Sequence, residues 1–343
     1  MIDYNSKIND SIKNVKPSGI RKFFDIAAEM DDVISLGVGE PDFDTPWHIR
    51  DAGIYSLERG HTKYTSNAGM LQLRREITSY LKRRFDLDYE YNGQILVTVS
   101  GSEAIDLAMR VILRPGDEVI VPVPSFVCYG PLAEMAGATP VYLELKAENE
   151  FRLTAAELLE AITDKTKLLV LPFPNNPTGA IMEREDLEAI AKVCIEKDIY
   201  VLSDEIYSEL TYEGEHVSIA TIPGMRERTI VVNGFSKAYA MTGWRMGYAV
   251  GPKELIAPMT KLHQYAIMSA PTTSQYAAIE ALKNCDEDVQ YMLKEYDMRR
   301  RMMVSGFNKV GLECREPKGA FYIFPSTKSL GLTGEQFAEK LLE

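Results

Sequence analysis

The sequence predicts an α/β fold: a large domain whose mostly parallel sheet is covered by helices, joined to a smaller α+β domain built from both chain ends. Two observations carry this. From Ile95 onward, short apolar runs alternate with segments of helical period, the order that parallel β-α units require. Both ends of the chain break that rhythm.

Residues 1–50 are irregular and rich in turn formers, as in Lys16-Pro17-Ser18-Gly19 and Gly37-Val38-Gly39-Glu40-Pro41. They are assigned to an N-terminal arm and part of the small domain. Residues 51–285 are assigned to the large domain, with strands expected at 95–99, 118–121, 141–145, 168–171, 199–202 and 230–232. Between strands, Ile105, Ala108, Met109 and Ile112 recur at helical spacing and mark a helix over 103–113. The charged stretch 286–310 reads as one long helix, and it opens the C-terminal part of the small domain, 286–343. No internal repeat or low-complexity segment interrupts the chain.

Composition narrows the partners. A length of 343 residues suits one large domain with a smaller one. The net charge of -12 repels a phosphate backbone, which argues against nucleic acid. The longest basic run, Arg299-Arg300-Arg301, is short and lies in a helix-like stretch. Cys128, Cys194, Cys285 and Cys314 are far apart and form no C-x-x-C pair, so neither a zinc site nor a redox motif is expected. The N-terminal MIDYNSKINDSIKN is polar, unlike a secretory signal, and no run nears the ~18 apolar residues of a membrane span. A cytoplasmic protein with no membrane partner is expected.

The chemistry is expected at the strand ends, because an open α/β sheet binds ligands beyond the carboxyl ends of its strands. Ser100-Gly101-Ser102 follows the first strand, Asn175-Asn176-Pro177-Thr178-Gly179 the fourth, Asp204-Glu205-Ile206-Tyr207 the fifth, and Ser236-Lys237 the sixth. Arg245 is expected two helical turns beyond Lys237. Singly, these are a helix cap, a tight turn, a loop acid and a surface lysine. Together they match what a buried anionic aldehyde cofactor requires. Ser100, Gly101, Ser102, Ser236 and Arg245 offer hydroxyls, helix-end N–H groups and a guanidinium to a phosphate. Asp204 offers a carboxylate to a protonated ring nitrogen, and Asn176 and Tyr207 offer donors to a ring hydroxyl. Lys237 offers the amine that a carbonyl needs to form a Schiff base.

The motifs SLGVGEPDFDTP, YTSNAGMLQLR, VSGSEAI, PNNPTG, SDEIY and SKAYAMTGWRMGY occur in that order. Through them the chain resembles the fold-type I pyridoxal-phosphate-dependent aminotransferases of class I/II, in the branch of aspartate and aromatic amino-acid aminotransferases. The match runs from Ser18-Gly19-Ile20-Arg21 to the C-terminal end of the sequence. The resemblance implies that Lys237 carries pyridoxal 5'-phosphate as a Schiff base and then shuttles the substrate α-proton. It implies that Asp204 pairs with the ring nitrogen and that Tyr207 and Asn176 partner the ring hydroxyl, Asn176 also lying near the substrate carboxylate. Phe126 matches the aromatic stacked on the ring, and Gly101, Ser102, Ser236 and Arg245 match phosphate contacts. Tyr64 matches a tyrosine that reaches the phosphate of a neighbouring subunit, which implies a homodimer. Gly39 matches a backbone contact on the substrate side. GVGEPD lacks the last glycine of a dinucleotide fingerprint and does not sit between a strand and a helix.

One departure stands out. The family carries a substrate-carboxylate arginine in a strand resembling RISYA, and this sequence ends at Leu341-Leu342-Glu343, where that region would begin. No residue is assigned to that role. The implied activity is ping-pong transfer of an amino group from an L-amino acid, aspartate or an aromatic one, to a 2-oxo acid such as 2-oxoglutarate. Two other readings share parts of the pattern. A C–S β-lyase uses nearly the same site, and a cofactor-binding regulator domain would need a winged helix and basic linker that nothing before Ser18 supplies.

Overall fold

The structure, a computed structural model, describes residues 2–342 apart from Asn14, Pro17, Ser18, 20–29, 31–33, Ser35, Leu36 and Val38. The Ser18-Gly19-Ile20-Arg21 start of the resemblance therefore lies almost wholly outside the described residues, as does part of SLGVG.

A seven-stranded sheet forms the centre, in the order β1-β7-β6-β5-β4-β2-β3. Its strands are β1 (Ile95–Thr98), β2 (Glu118–Val123), β3 (Thr139–Glu144), β4 (Thr166–Leu171), β5 (Tyr200–Asp204), β6 (Thr229–Gly234) and β7 (Gly247–Val250). All neighbours are parallel except β7, which runs antiparallel to both β1 and β6. Each expected strand is present. The seventh, only four residues long and antiparallel, was not expected.

Both faces of the sheet are covered, and the strand period of two divides the side chains between them. Val231, Ile95, Val97, Tyr248 and Val250 pack on one face with residues of α1 (Trp47–Glu58), α2 (Leu71–Phe85) and α8 (Thr272–Asn284). Ile230, Val232, Leu96 and Ala249 turn to the other, against α3 (Ser100–Ile112), α4 (Tyr129–Met135) and α7 (Lys253–Ala266). A third cluster fills the space between β4, α5 (Ala155–Ala161) and α6 (Arg184–Glu196). Helix α3 begins at Ser100, earlier than its apolar spacing suggested, and buries Ala104, Ile105, Leu107, Ala108, Met109 and Ile112.

The long charged stretch forms α9 (Asp286–Lys309), followed by extended and turn segments and then α10 (Gly334–Leu342). Acidic Asp286, Glu287 and Asp288 open α9 and Lys309 closes it, in the sense the helix dipole favours. Val289, Met292, Tyr296 and Arg300 form its buried stripe at helical spacing. The basic run is thereby divided: Arg300 is buried, Arg299 pairs with Asp42 at 2.6 Å and Arg301 with Asp297 at 2.8 Å. At the strand ends, Phe43, Met292, Tyr296, Ala320, Phe321 and Tyr322 pack with Tyr207 and Leu210. N-terminal, helical and C-terminal pieces thus share a wall of the same region. Among the described residues no helix is long and apolar enough to cross a membrane.

Gly234 and Gly247 face each other where β6 ends and β7 begins. A side chain at 247 would come within 2.5 Å of the Gly101 nitrogen and the Ser100 carbonyl carbon, so this bare glycine pair lets the start of α3 lie on the sheet edge. Gly247→Ala is expected to lower the unfolding free energy by about 3 kcal/mol or more, because backbone must move. Gly306→Ala, in α9 with open space at its Cβ, is expected to raise it by about 0.5–1 kcal/mol. Urea unfolding of the two variants checks both signs.

Candidate active site

The carboxyl ends of β4, β5 and β6 and the start of α3 converge on one site. Asp204 is the last residue of β5, so it emerges directly from the buried sheet. Ser236 and Lys237 follow β6 in the connection to β7. That connection is not the helix implied by placing Arg245 two helical turns beyond Lys237. Residues 235–246 form turns and a short 3-10 helix, Thr242–Trp244, with Arg245 at φ 51°. The reason is topological: β7 returns antiparallel beside β6, with Gly234 opposite Gly247, and a helix along this stretch would carry the chain away.

The curled connection brings Arg245 back over α3, where its Nη2 donates to Ser100 Oγ at 2.7 Å. Ser100 Oγ also accepts from the Ser102 N–H at 3.2 Å. Ser100 has φ 67°, a backbone state unusual for a residue with a side chain, and it begins the helix that presents the Gly101 and Ser102 amides. Ser236 is buried nearby in sequence to Lys237. A guanidinium, hydroxyls and helix-end N–H groups make a donor set suited to an anion.

Lys237 Nζ donates to the Gly39 carbonyl and lies 5.7 Å from the centre of the Tyr207 ring and 5.4 Å from that of Phe321. Burial lowers its pKa to about 8, with Glu40 opposing that fall and Arg245 adding to it. Burial also pushes the Asp204 carboxyl up to about 6, against the Tyr129 hydroxyl and the Ile206 N–H, which favour its charged form. Those bonds measure 2.7 Å and 3.2 Å. Phe126, 39% exposed, packs edge-on to Tyr129 with ring centres 6.2 Å apart.

The Tyr207 and Tyr322 hydroxyls are 2.6 Å apart, and the nearby Asn176 side chain acts to lower the pKa of each against the burial that raises it. Its neighbour Asn175 is buried and builds the turn instead, accepting from the Thr178 N–H at 3.1 Å and hydroxyl at 2.8 Å. Gly39 lies against Tyr322, whose hydroxyl occupies the place a side chain at 39 would need. Lys237, Asp204, Tyr207, Asn176, Gly39, Arg245, Gly101 and Ser102 are thus linked through neighbouring contacts. Tyr64 is different. It is 81% exposed on the loop before α2, next to Thr65, which accepts from Gln275.

Two site tyrosines went unread in the sequence. Tyr129 stands three positions after Phe126, and Tyr322 lies in GAFYIF, where an aromatic reads as core. Only contacts distant in sequence reveal their polar ends.

Asp204 provides a direct check. Its folded pKa, about 6, lies above its ordinary value of 3.8, so the folded protein holds the proton more tightly. Folding stability therefore falls as pH rises between these values, and the penalty is full above pH 6. Without added cofactor, Asp204→Asn is expected to be more stable than the parent at pH 7.5 by on the order of 2 kcal/mol. The gap should close below about pH 4. Urea midpoints across pH measure it.

Comparison with known proteins identifies the family. The family model "Aminotransferase class I and II" matches residues 31–343. An aspartate aminotransferase of Pyrococcus abyssi is 45% identical, across 98% of this chain and 87% of its own length. Aromatic-amino-acid aminotransferase 2 of Thermococcus litoralis is 41% identical over 98% of this chain and 87% of its own. Among solved structures, aspartate aminotransferase from Thermus thermophilus with maleate superposes with a TM-score of 0.94 at 38% identity, covering 98% of this chain and 89% of that one. A strand-end lysine, its buried carboxylate and an anion-donor set occur here in a chain that matches throughout: this protein belongs to the aminotransferase class I and II family.

Proposed function

We propose that this protein is a pyridoxal-phosphate-dependent amino-acid aminotransferase that moves the amino group of aspartate or an aromatic amino acid to a 2-oxo acid such as 2-oxoglutarate. The observation that carries the reading is Lys237, a desolvated amine with its pKa down at about 8, set between Asp204 and the Arg245–Ser100 donor set. The residues fit the cofactor chemically. Asp204 is buried with neutral donors, Tyr129 and Ile206, and so is suited to take a protonated ring nitrogen as its cationic partner. When bound, pyridoxal phosphate supplies an aldehyde that combines reversibly with amines and a protonated ring that takes up electrons released at the substrate α-carbon.

Each side chain then has a defined task. Lys237 is neutral in a usable fraction near pH 7.5, so it would serve as a nucleophile toward a carbonyl and as a carrier of the proton at the substrate α-carbon. Asp204 keeps the ring nitrogen protonated by offering a negative charge in a dry setting. Arg245, Ser100, Ser102, Ser236 and the Gly101 amide would hold the phosphate, with Ser100 joining the guanidinium to the start of the helix. Tyr207 and Asn176 would donate to the ring hydroxyl, Phe126 would cover the ring face, and Asn176 with the Gly39 backbone would face the substrate. Transfer is favoured over β-elimination because the relatives are named aminotransferases.

Tyr64 supports a homodimer, in which it reaches the partner's phosphate. Trp47, Tyr55, Leu57, Tyr64 and Tyr265 are exposed by 58%, 51%, 55%, 81% and 83%, large apolar surface that a second copy would cover. Cys128, Cys194, Cys285 and Cys314 are free thiols, which suits a reducing compartment, and the cytoplasm is proposed as its location.

Lys237→Ala tests the assignment. The parent, loaded with pyridoxal phosphate, is expected to lose its visible absorbance on addition of L-glutamate without oxo acid. The variant is expected to form no covalent lysine band and to slow this half-reaction by about a thousandfold. Half-reaction rates within threefold of the parent would refute the role of Lys237.

A further inference from the structure

The Tyr322 hydroxyl meets Tyr207 from a part of the chain 115 positions away. Its segment is firmly held. The Lys318 and Gly319 N–H groups donate to the Gly179 carbonyl at 3.0 Å and 2.9 Å, and the Ala320 N–H donates to Leu210 at 2.8 Å. Arg300, 4% exposed, donates to the Pro317 carbonyl at 2.8 Å and stacks on Tyr212. On its far side the Tyr322 hydroxyl abuts Gly39, leaving it little freedom to swing away.

The proton count in this cluster is informative. A tyrosine hydroxyl has one proton to give and can accept on its oxygen. The two hydroxyls form one hydrogen bond with each other, so one of their two protons lies between the oxygens and the other is free to point elsewhere. Either oxygen can be that donor when no other acceptor faces the pair. An oxygen acceptor in front of Tyr207 draws the Tyr207 proton outward and leaves Tyr322 as the donor behind it. A hydroxyl that accepts such a bond is a stronger donor in turn, since hydrogen bonds in a chain polarise one another.

We propose that Tyr322 is a positioning residue for amino transfer: it donates to the Tyr207 oxygen and thereby commits the single Tyr207 proton to the cofactor's ring oxygen. This rests on the reading of Tyr207 as partner of that oxygen. Through it, the segment 317–322, anchored by Arg300, sets the proton affinity of the cofactor–lysine chromophore. A weaker Tyr207 donor leaves the ring oxygen more negative, and the imine nitrogen beside it then holds its proton more tightly.

The test is a pH titration of the visible absorbance of the pyridoxal-phosphate-loaded protein, made for the parent, Tyr322→Phe, Tyr207→Phe and the double variant. Tyr322→Phe is expected to raise the apparent pKa by about half a unit, a roughly threefold change in proton affinity. Tyr207→Phe should raise it further, and the double variant should match Tyr207→Phe, because Tyr322 acts through Tyr207. A shift in Tyr207→Phe but none in Tyr322→Phe overturns the proposal alone. So does an equal Tyr322→Phe shift in the Tyr207→Phe background. No shift in any variant removes the Tyr207 reading beneath it as well.

Discussion

Desolvation at the carboxyl ends of β5 and β6 is the constraint on which the site depends. Lys237 loses enough water to fall to about 8, while Asp204 loses enough to rise to about 6. Both shifts oppose the charged forms, so each group gives up its charge more readily here than it would in water. The walls that exclude water come from separate parts of the chain. Phe321 and Tyr207 flank the lysine, and Gly39 caps its amine. The glycine pair at the ends of β6 and β7 admits the start of α3, which brings the anion-donor set alongside.

Other buried acids show what a structural carboxylate looks like here. Glu205, next to Asp204 and 1% exposed, accepts from Ser203 at 2.8 Å and Ser218 at 2.6 Å and pairs with His216 at 2.9 Å. Glu209 accepts from Arg84 Nε and Nη2, at 2.9 Å and 2.6 Å, and from the Tyr80 hydroxyl at 2.6 Å. Each has a cationic or imidazole partner, as buried charge requires. Asp204 has a tyrosine hydroxyl and one N–H. A buried acid left short of positive charge is a mark of function, since it loses stability that a ligand can restore.

How much of this was legible follows from where each signal resides. The parallel strands were readable because each is a short apolar run, and most have a helix after them. Strand β7 was not, because its four residues carry no more than Gly-Tyr-Ala-Val and its placement depends on a chain reversal. The same reversal explains why Arg245 was expected on a helix: spacing along a sequence says nothing of a loop that folds back on itself. Lys237, Asp204, Tyr207 and Asn176 were singled out because they stand at or just after strand ends, and topology sends all such residues to one edge. Tyr129 and Tyr322 were hidden because their value lies in one hydroxyl each, and an aromatic residue in an apolar run signals only its ring.

The pH dependence of cofactor capture tests the central claim, that burial supplies a neutral amine at Lys237. The rate at which the unloaded protein takes up pyridoxal phosphate, followed by its visible band, should climb with pH and level off above about pH 8, the value burial imposes on Lys237. A rate still rising toward pH 10.5, the ordinary lysine value, would show an amine in contact with water and contradict the account.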